Sequence, residues 1–151
     1  MPRKRSYEKR KDIWKYYKVE YTSNYTEEMD TEGLKVLKWS MFDSPDKLGS
    51  GKMFMEDSPV FILDKIMKAQ RLTGYIELAY TSKKYADSLR LGTNSAHRVG
   101  MAVKFRCINA NARFRFVKAL IQYGVQRIRL QKESVYFDTD NYINKPELRI
   151  F

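Results

Sequence analysis

One cysteine and one histidine in the whole chain rule out an internal disulfide and limit the metal scaffolds it could fold around. A lone thiol closes no internal disulfide, and the pair cannot supply a four-cysteine finger or a three-histidine zinc site. The fold must therefore rest on apolar burial. A chain of 151 residues, 43% of them hydrophobic, has the means. At this length about 68–70% of the unfolded surface can be buried, enough for one domain. Cys107, in the run AVKFRC, is expected as a buried inert thiol rather than a reactive one.

The net charge of +11 is unevenly placed. Residues 1–18 carry eight Lys/Arg against Glu8 and Asp12, whereas residues 19–33 carry five acids and no base. This switch predicts an N-terminal extension over 1–33, basic then acidic, ahead of a single domain over 34–151. In the basic part Arg3, Lys4, Arg5, Lys9, Arg10, Lys11 and Lys15 are interleaved with Trp14 and several tyrosines. Cations for phosphates beside flat rings for bases is the chemistry of sequence-tolerant single-strand binding. The competing expectation is a solvated arm whose rings dock on their own domain or on a partner subunit. No run approaches 18 consecutive apolar residues, and the basic start lacks a signal peptide's apolar stretch, so neither a membrane span nor secretion is expected.

Beyond residue 34 the pattern predicts an α+β domain, a small antiparallel sheet packed with two core helices. FDSPDKLGSGK reads as a loop. Ser58 and Pro59 read as the start of a helix that carries Leu63, Ile66 and Met67 and ends at Gly74. Tyr75 to Tyr80 reads as a strand, Lys83 to Leu91 as a short helix, and GTNSAHRVG as a polar loop. AVKFRC alternates as a strand does, with Val103, Phe105 and Cys107 on one face and Ala102, Lys104 and Arg106 on the other. Asn109 or Asn111 caps a second helix that Gly124 terminates, and VQRIRL and SVYFD follow as strands. The C-terminal NYINKPELRIF either closes the sheet or docks on a neighbour.

The order of these segments, FDSPDKLGSGK, helix, strand ending in Tyr80, NSAHRVGMAVKF, helix, ESVYFD, resembles the zinc D-Ala-D-Ala carboxypeptidases, the M15 peptidase family, and its short phage-type members in particular. The resemblance covers roughly residues 34–140. It implies the DD-carboxypeptidase/Hedgehog-type fold. The family pattern Ser-x-His-x-x-Gly-x-Ala-x-Asp appears as Ser95, His97, Gly100 and Ala102, with Lys104 at the aspartate position. The family's later Glu/Asp-x-x-His-x-Asp segment corresponds to Glu133, Tyr136 and Asp138. The resemblance thus implies that His97, Lys104 and Tyr136 occupy metal-ligand positions and that Glu133 stands where the catalytic acid/base would be. Thr81, after Tyr80, replaces an arginine thought to hold the substrate carboxylate.

Two of the three ligand positions have changed chemistry. A charged ammonium has no lone pair, and a neutral phenol is a poor zinc ligand. The expectation is a lost zinc, no catalytic residue beyond a vestigial Glu133, and a Lys104 that replaces the metal by donating to Glu133, Asp138 or the Tyr136 hydroxyl. The alternative for Lys104 is a solvated lysine on an edge strand. His97 is expected as a local hydrogen-bonding group, Ser95 as a turn residue, and Glu133 as solvated or ion-paired. If their strands are neighbours, Lys104, Arg106, Arg127 and Arg129 form a cationic cluster, extended by Arg113, Arg115 and Lys118, that attracts nucleic acid or anionic cell-wall polymer.

Three functional classes follow, in this order. The first is a pseudoenzyme, a peptidase-like binding or structural module of phage or virus, with a capsid or other protein as partner. The second is a nucleic-acid-binding protein using the arm and the basic face. The third is an active peptidoglycan peptidase, endolysin-like, with a rearranged metal site. The setting implied by the resemblance is the host cytoplasm or the virion, with no membrane.

Overall fold

Alternation along AVKFR and SVYFD sorts side chains onto two faces of a sheet. The structure, a computed structural model, describes residues 26–140 and 147–150. Its strands are β1 (Tyr75–Leu78), β2 (Ala102–Arg106), β3 (Arg127–Leu130), β4 (Ser134–Asp138) and β5 (Glu147–Ile150). They lie in the order β1-β2-β4-β3-β5. The first four form an antiparallel sheet, and β5 adds to β3 in parallel. Of the C-terminal segment, Glu147–Ile150 thus extends the sheet at its β3 edge. The helices are α1 (Glu27–Asp30), α2 (Ser50–Phe54), α3 (Asp57–Gln70), α4 (Lys83–Ser88) and α5 (Ala110–Gln122). The protein is α+β, with α3 and α5 as the two long helices.

One sheet face builds the core. Val103, Phe105, Ile128, Val135 and Phe137 are buried there with Leu63 and Ile66 of α3 and Phe116 and Leu120 of α5. The Phe116 ring meets Phe105 and Phe137 edge-on, at centroid distances of 5.2 and 6.1 Å. Such edge contacts add about 0.5–1.5 kcal/mol each beyond the area they bury. Cys107 lies in the same core, and burial raises its thiol pKa above the ordinary value.

The local signals fix some boundaries and misplace others. Asn109 caps α5 as expected, its Oδ1 accepting from the N–H groups of Asn111 (2.8 Å) and Ala112 (3.1 Å). α3 begins at Asp57, with no capping side chain, so Pro59 is its third residue rather than its first. That position is equally tolerant, because its N–H would have no partner within the helix. α3 ends at Gln70, with Arg71, left-handed at φ 49°, as its cap, and does not run to Gly74. Gly74 serves another purpose: a Cβ there would lie 2.2 Å from the Arg106 carbonyl oxygen, so glycine lets β1 enter the sheet. The predicted loop FDSPDKLGSGK is a loop only up to Gly49, since Ser50–Phe54 is helical. Asp43 pins that turn, accepting from the N–H groups of Gly49 (3.0 Å) and Gly51 (2.7 Å).

Residues 26–33, assigned from charge to the extension, pack on the domain. The buried carboxylate of Asp30 accepts from the backbone N–H and the hydroxyl of Ser40, both at 2.8 Å. Trp39 Nε1 donates to the Glu32 carbonyl at 2.8 Å. The acidity of this stretch therefore hid its structural use. Asp64 of α3 does the same for the next segment, accepting from the N–H groups of Lys35, Val36 and Leu37 at 2.8–2.9 Å.

β1 carries a bulge. Tyr75 and Ile76 oppose Arg106 and Phe105, but Leu78 opposes Lys104, so Glu77 is an extra residue in the edge strand. Gly100, before β2, is held at φ 72°, and a Cβ there would lie 2.1 Å from the Phe54 carbonyl oxygen. Gly100→Ala is expected to lower unfolding free energy by about 2 kcal/mol or more, because it adds left-handed strain to a backbone clash. Urea denaturation monitored by tryptophan fluorescence measures it, and an unchanged midpoint contradicts it.

Candidate functional site

The second sheet face carries the polar residues of the same strands. Lys104 of β2, Tyr136 of β4 and Arg129 of β3 form one transverse row, and Ala102, Asp138 and Arg127 form the next. β4 lies between the two basic strands, so the condition that the strands of Lys104 and Arg106 and of Arg127 and Arg129 be neighbours is not met. The four cations nevertheless share this face. Arg113 and Arg115 are turned elsewhere, to the carbonyls of Cys107 and Gln70 respectively.

The turn bearing His97 packs against β2. Ser95 caps this short 3-10 turn, Ala96–Val99, its hydroxyl accepting from the His97 N–H at 3.4 Å, and Gly100 closes it. Ser95 is thereby a turn residue. His97 is only 5% exposed, and its Nδ1 lies 2.7 Å from the Ala79 carbonyl oxygen. A carbonyl only accepts, so Nδ1 carries the proton and Nε2 keeps its lone pair. Burial lowers the His97 pKa to about 4, opposed by the bond to Ala79 and reinforced by the positive charges of Lys104 and Arg129. The imidazole is neutral at pH 7.

Tyr136 stands at the centre. The His97 ring meets it edge-on at 5.4 Å, and the Arg129 guanidinium lies 4.9 Å from its ring centroid. Its hydroxyl donates to Asp138 Oδ2 at 2.5 Å. Burial, then the Asp138 charge and this bond, raise the phenol's pKa above its ordinary value. Asp138, 1% exposed, also receives Arg127 Nε on Oδ2 at 3.2 Å and the Asp140 N–H on Oδ1 at 3.2 Å. Ala102 packs with Ala96 and Tyr136 in a small apolar cluster beside it.

The expected partners of Lys104 are corrected by this geometry. Its Nζ pairs at 3.4 Å with Oε2 of Glu77, the bulged residue of β1, rather than with Glu133, Asp138 or the Tyr136 hydroxyl. Arg127 is the cation that meets Asp138. Arg106 joins Glu133 to Glu77, so Glu133 is ion-paired. Glu133 and Asp138 are thus held by different arginines. Tyr80 lies in the main core, its ring 5.0 Å from that of Phe54. Thr81 beside it is fully buried and donates its N–H to the His97 carbonyl at 3.1 Å.

A pocket of about 390 Å³ opens between the sheet and the segment 91–97, lined by His97, Lys104, Arg127, Arg129 and Tyr136 together with Asn94, Ser95 and Gln131. Three residues separated by up to 39 positions, His97, Lys104 and Tyr136, therefore meet at one site. As donors they do not fit zinc: one imidazole nitrogen, one ammonium without a lone pair, and one phenol committed to a carboxylate. Among the described residues no group of three or more His, Cys, Asp or Glu is placed to hold a metal ion. Also among them, no helix is long and apolar enough to cross a membrane.

Sequence reasoning missed Arg127–Asp138 and Glu77. The hairpin of β3 and β4 carried the first signal, since its register sets Arg127 opposite Asp138. The arm residues Arg3, Lys4, Arg5, Lys9, Arg10, Lys11, Trp14 and Lys15 lie outside the described residues. Comparison of the chain with protein-family models, curated proteins and solved structures found no match.

His97 makes stability depend on pH with a definite sign. Its folded pKa of about 4 lies below the unfolded value near 6.5, so the unfolded chain takes up the proton first. Stability is expected to fall by about 3 kcal/mol as pH drops from about 6.5 to about 4. Asp43, raised to about 6 chiefly by burial, acts in the opposite direction over that range. Urea denaturation of the wild-type protein and His97→Asn isolates the histidine: the variant should lose this part of the slope, and identical slopes contradict it.

Proposed function

We propose that this chain is a catalytically inactive relative of the zinc carboxypeptidases, a pseudoenzyme of phage or viral origin that serves as a binding or structural module, with the virion as its setting. One observation carries the reading: the three positions matching the family's metal ligands converge on one pocket, yet present an imidazole, an ammonium and a buried phenol. Convergence supports the motif alignment, and the donor chemistry supports the loss of zinc. Arg127 and Lys104 bring positive charge to the cleft, the first fixed by Asp138 and the second by Glu77. An endolysin-like peptidase with a rearranged site would need lone-pair donors beyond His97 Nε2.

The purified protein is expected to hold far less than one zinc per chain and to leave a D-Ala-terminated peptide uncleaved. The double variant Lys104→Asp/Tyr136→His is expected to gain zinc, measured by elemental analysis after dialysis. Stoichiometric zinc with peptide cleavage in the wild type refutes the reading, and a double variant that folds yet takes up no zinc refutes the alignment behind it.

A second reading, contact with single-stranded nucleic acid, draws on a different place. A cavity of about 720 Å³ lies among Arg71, Arg106 and Arg115, with Tyr75, 59% exposed, at its wall. A flat ring beside several guanidiniums suits a base and its phosphates. Binding of a fluorescent oligonucleotide should weaken steeply with added salt, and Tyr75→Ala should weaken it about tenfold. Salt-insensitive or absent binding excludes this reading.

A further inference from the structure

We propose that the pocket over Tyr136 binds an oxyanion, the terminal carboxylate or phosphate monoester of a small polar ligand. The inference rests on the pseudoenzyme reading, in that it assigns what the former metal cleft now holds. Lys104, Arg127 and Arg129 line the pocket, and no Asp or Glu is among its described lining residues. The carboxylates that steady two of these cations lie outside that lining: Asp138 holds Arg127 and Glu77 holds Lys104. The Tyr136 ring supports the guanidinium of Arg129. Cations already fixed by other contacts lose little freedom when they bind, which favours an incoming anion.

The neutral groups complete the fit. Asn94, Ser95 and Gln131 supply hydrogen-bonding positions, while Leu78 and Leu91 provide apolar wall. The volume, about 390 Å³, lies in the usual range for small-molecule sites, roughly 300–1,000 Å³. It accommodates an oxyanion with several further atoms attached. The neutral state of His97 agrees with a positive local field, since Lys104 and Arg129 both disfavour its protonation. The same field repels a divalent cation and attracts a carboxylate or phosphate.

The chain has one imidazole, so its Hε1 resonance reports on this pocket alone. The full chain is titrated with inorganic phosphate and, separately, with N-acetylglycine, at an ionic strength held constant with sodium chloride. A saturable movement of the resonance is expected, and the probe that saturates at lower concentration identifies the oxyanion. Lys104→Gln and Arg129→Gln should each weaken apparent affinity at least about tenfold. Lys118→Gln, exposed on α5 away from the pocket, should leave it unchanged. If a glutamine variant loses its dispersed amide spectrum, Lys104→Arg replaces it and should retain binding within about threefold of wild type.

Movement no greater than in the chloride control, or saturation that survives both glutamine substitutions, overturns the proposal. Zinc content is assayed on the same samples. Absent anion binding in zinc-free protein overturns this inference alone, whereas zinc-loaded protein overturns the reading beneath it.

Discussion

Asp138 lies on the central strand, where all five residues of β4 are buried, and its carboxylate is withdrawn from water. An unpaired charge in that position would cost several kcal/mol, so the surrounding strands must supply its partners. Arg127 supplies the charge and Tyr136 a hydroxyl. Two consequences spread from this arrangement. β3 must lie beside β4 in the register that sets Arg127 opposite Asp138, and the Tyr136 ring must stand where its hydroxyl reaches Oδ2. Once that ring is placed, His97 packs on its edge and Arg129 over its face. The pocket is the space left above them.

Much of this was legible where the physics is local. β2 announces itself by period-two alternation, and Asn109 marks the start of α5 by offering its own acceptor to free backbone N–H groups. That His97, Lys104 and Tyr136 line one pocket was implied by the family resemblance and not by any local pattern. Features that depend on distant partners were not legible. α2 has the composition of a loop and is helical because Asp43 and a left-handed Gly49 shape the chain before it. The acids at 27–32 were assigned to an extension ahead of the domain, yet Asp30 holds Ser40 within it. No pattern within β2 could reveal that Lys104 would find Glu77, since that contact depends on one inserted residue in another strand.

The cations of the open face show why net charge is a coarse guide. Lys104, Arg106 and Arg127 are all matched by carboxylates at short range, so they hold strands together as well as contributing to the long-range field. Exposed pairs of this kind are worth little individually, up to about 1 kcal/mol, and salt weakens them. Arg127 with Asp138 differs because both are buried. Removing either partner would strand the other in a medium that cannot solvate it.

The bulge in β1 has an effect at a larger scale. Among the described residues β1 is the outer strand on its side of the sheet, and an open outer strand invites a second molecule to add to it. By breaking the regular spacing of backbone donors and acceptors between Ile76 and Leu78, and by placing a charged Glu77 there, the chain makes that margin a poor template. The residue that fixes Lys104 also guards against self-association into extended β-structure.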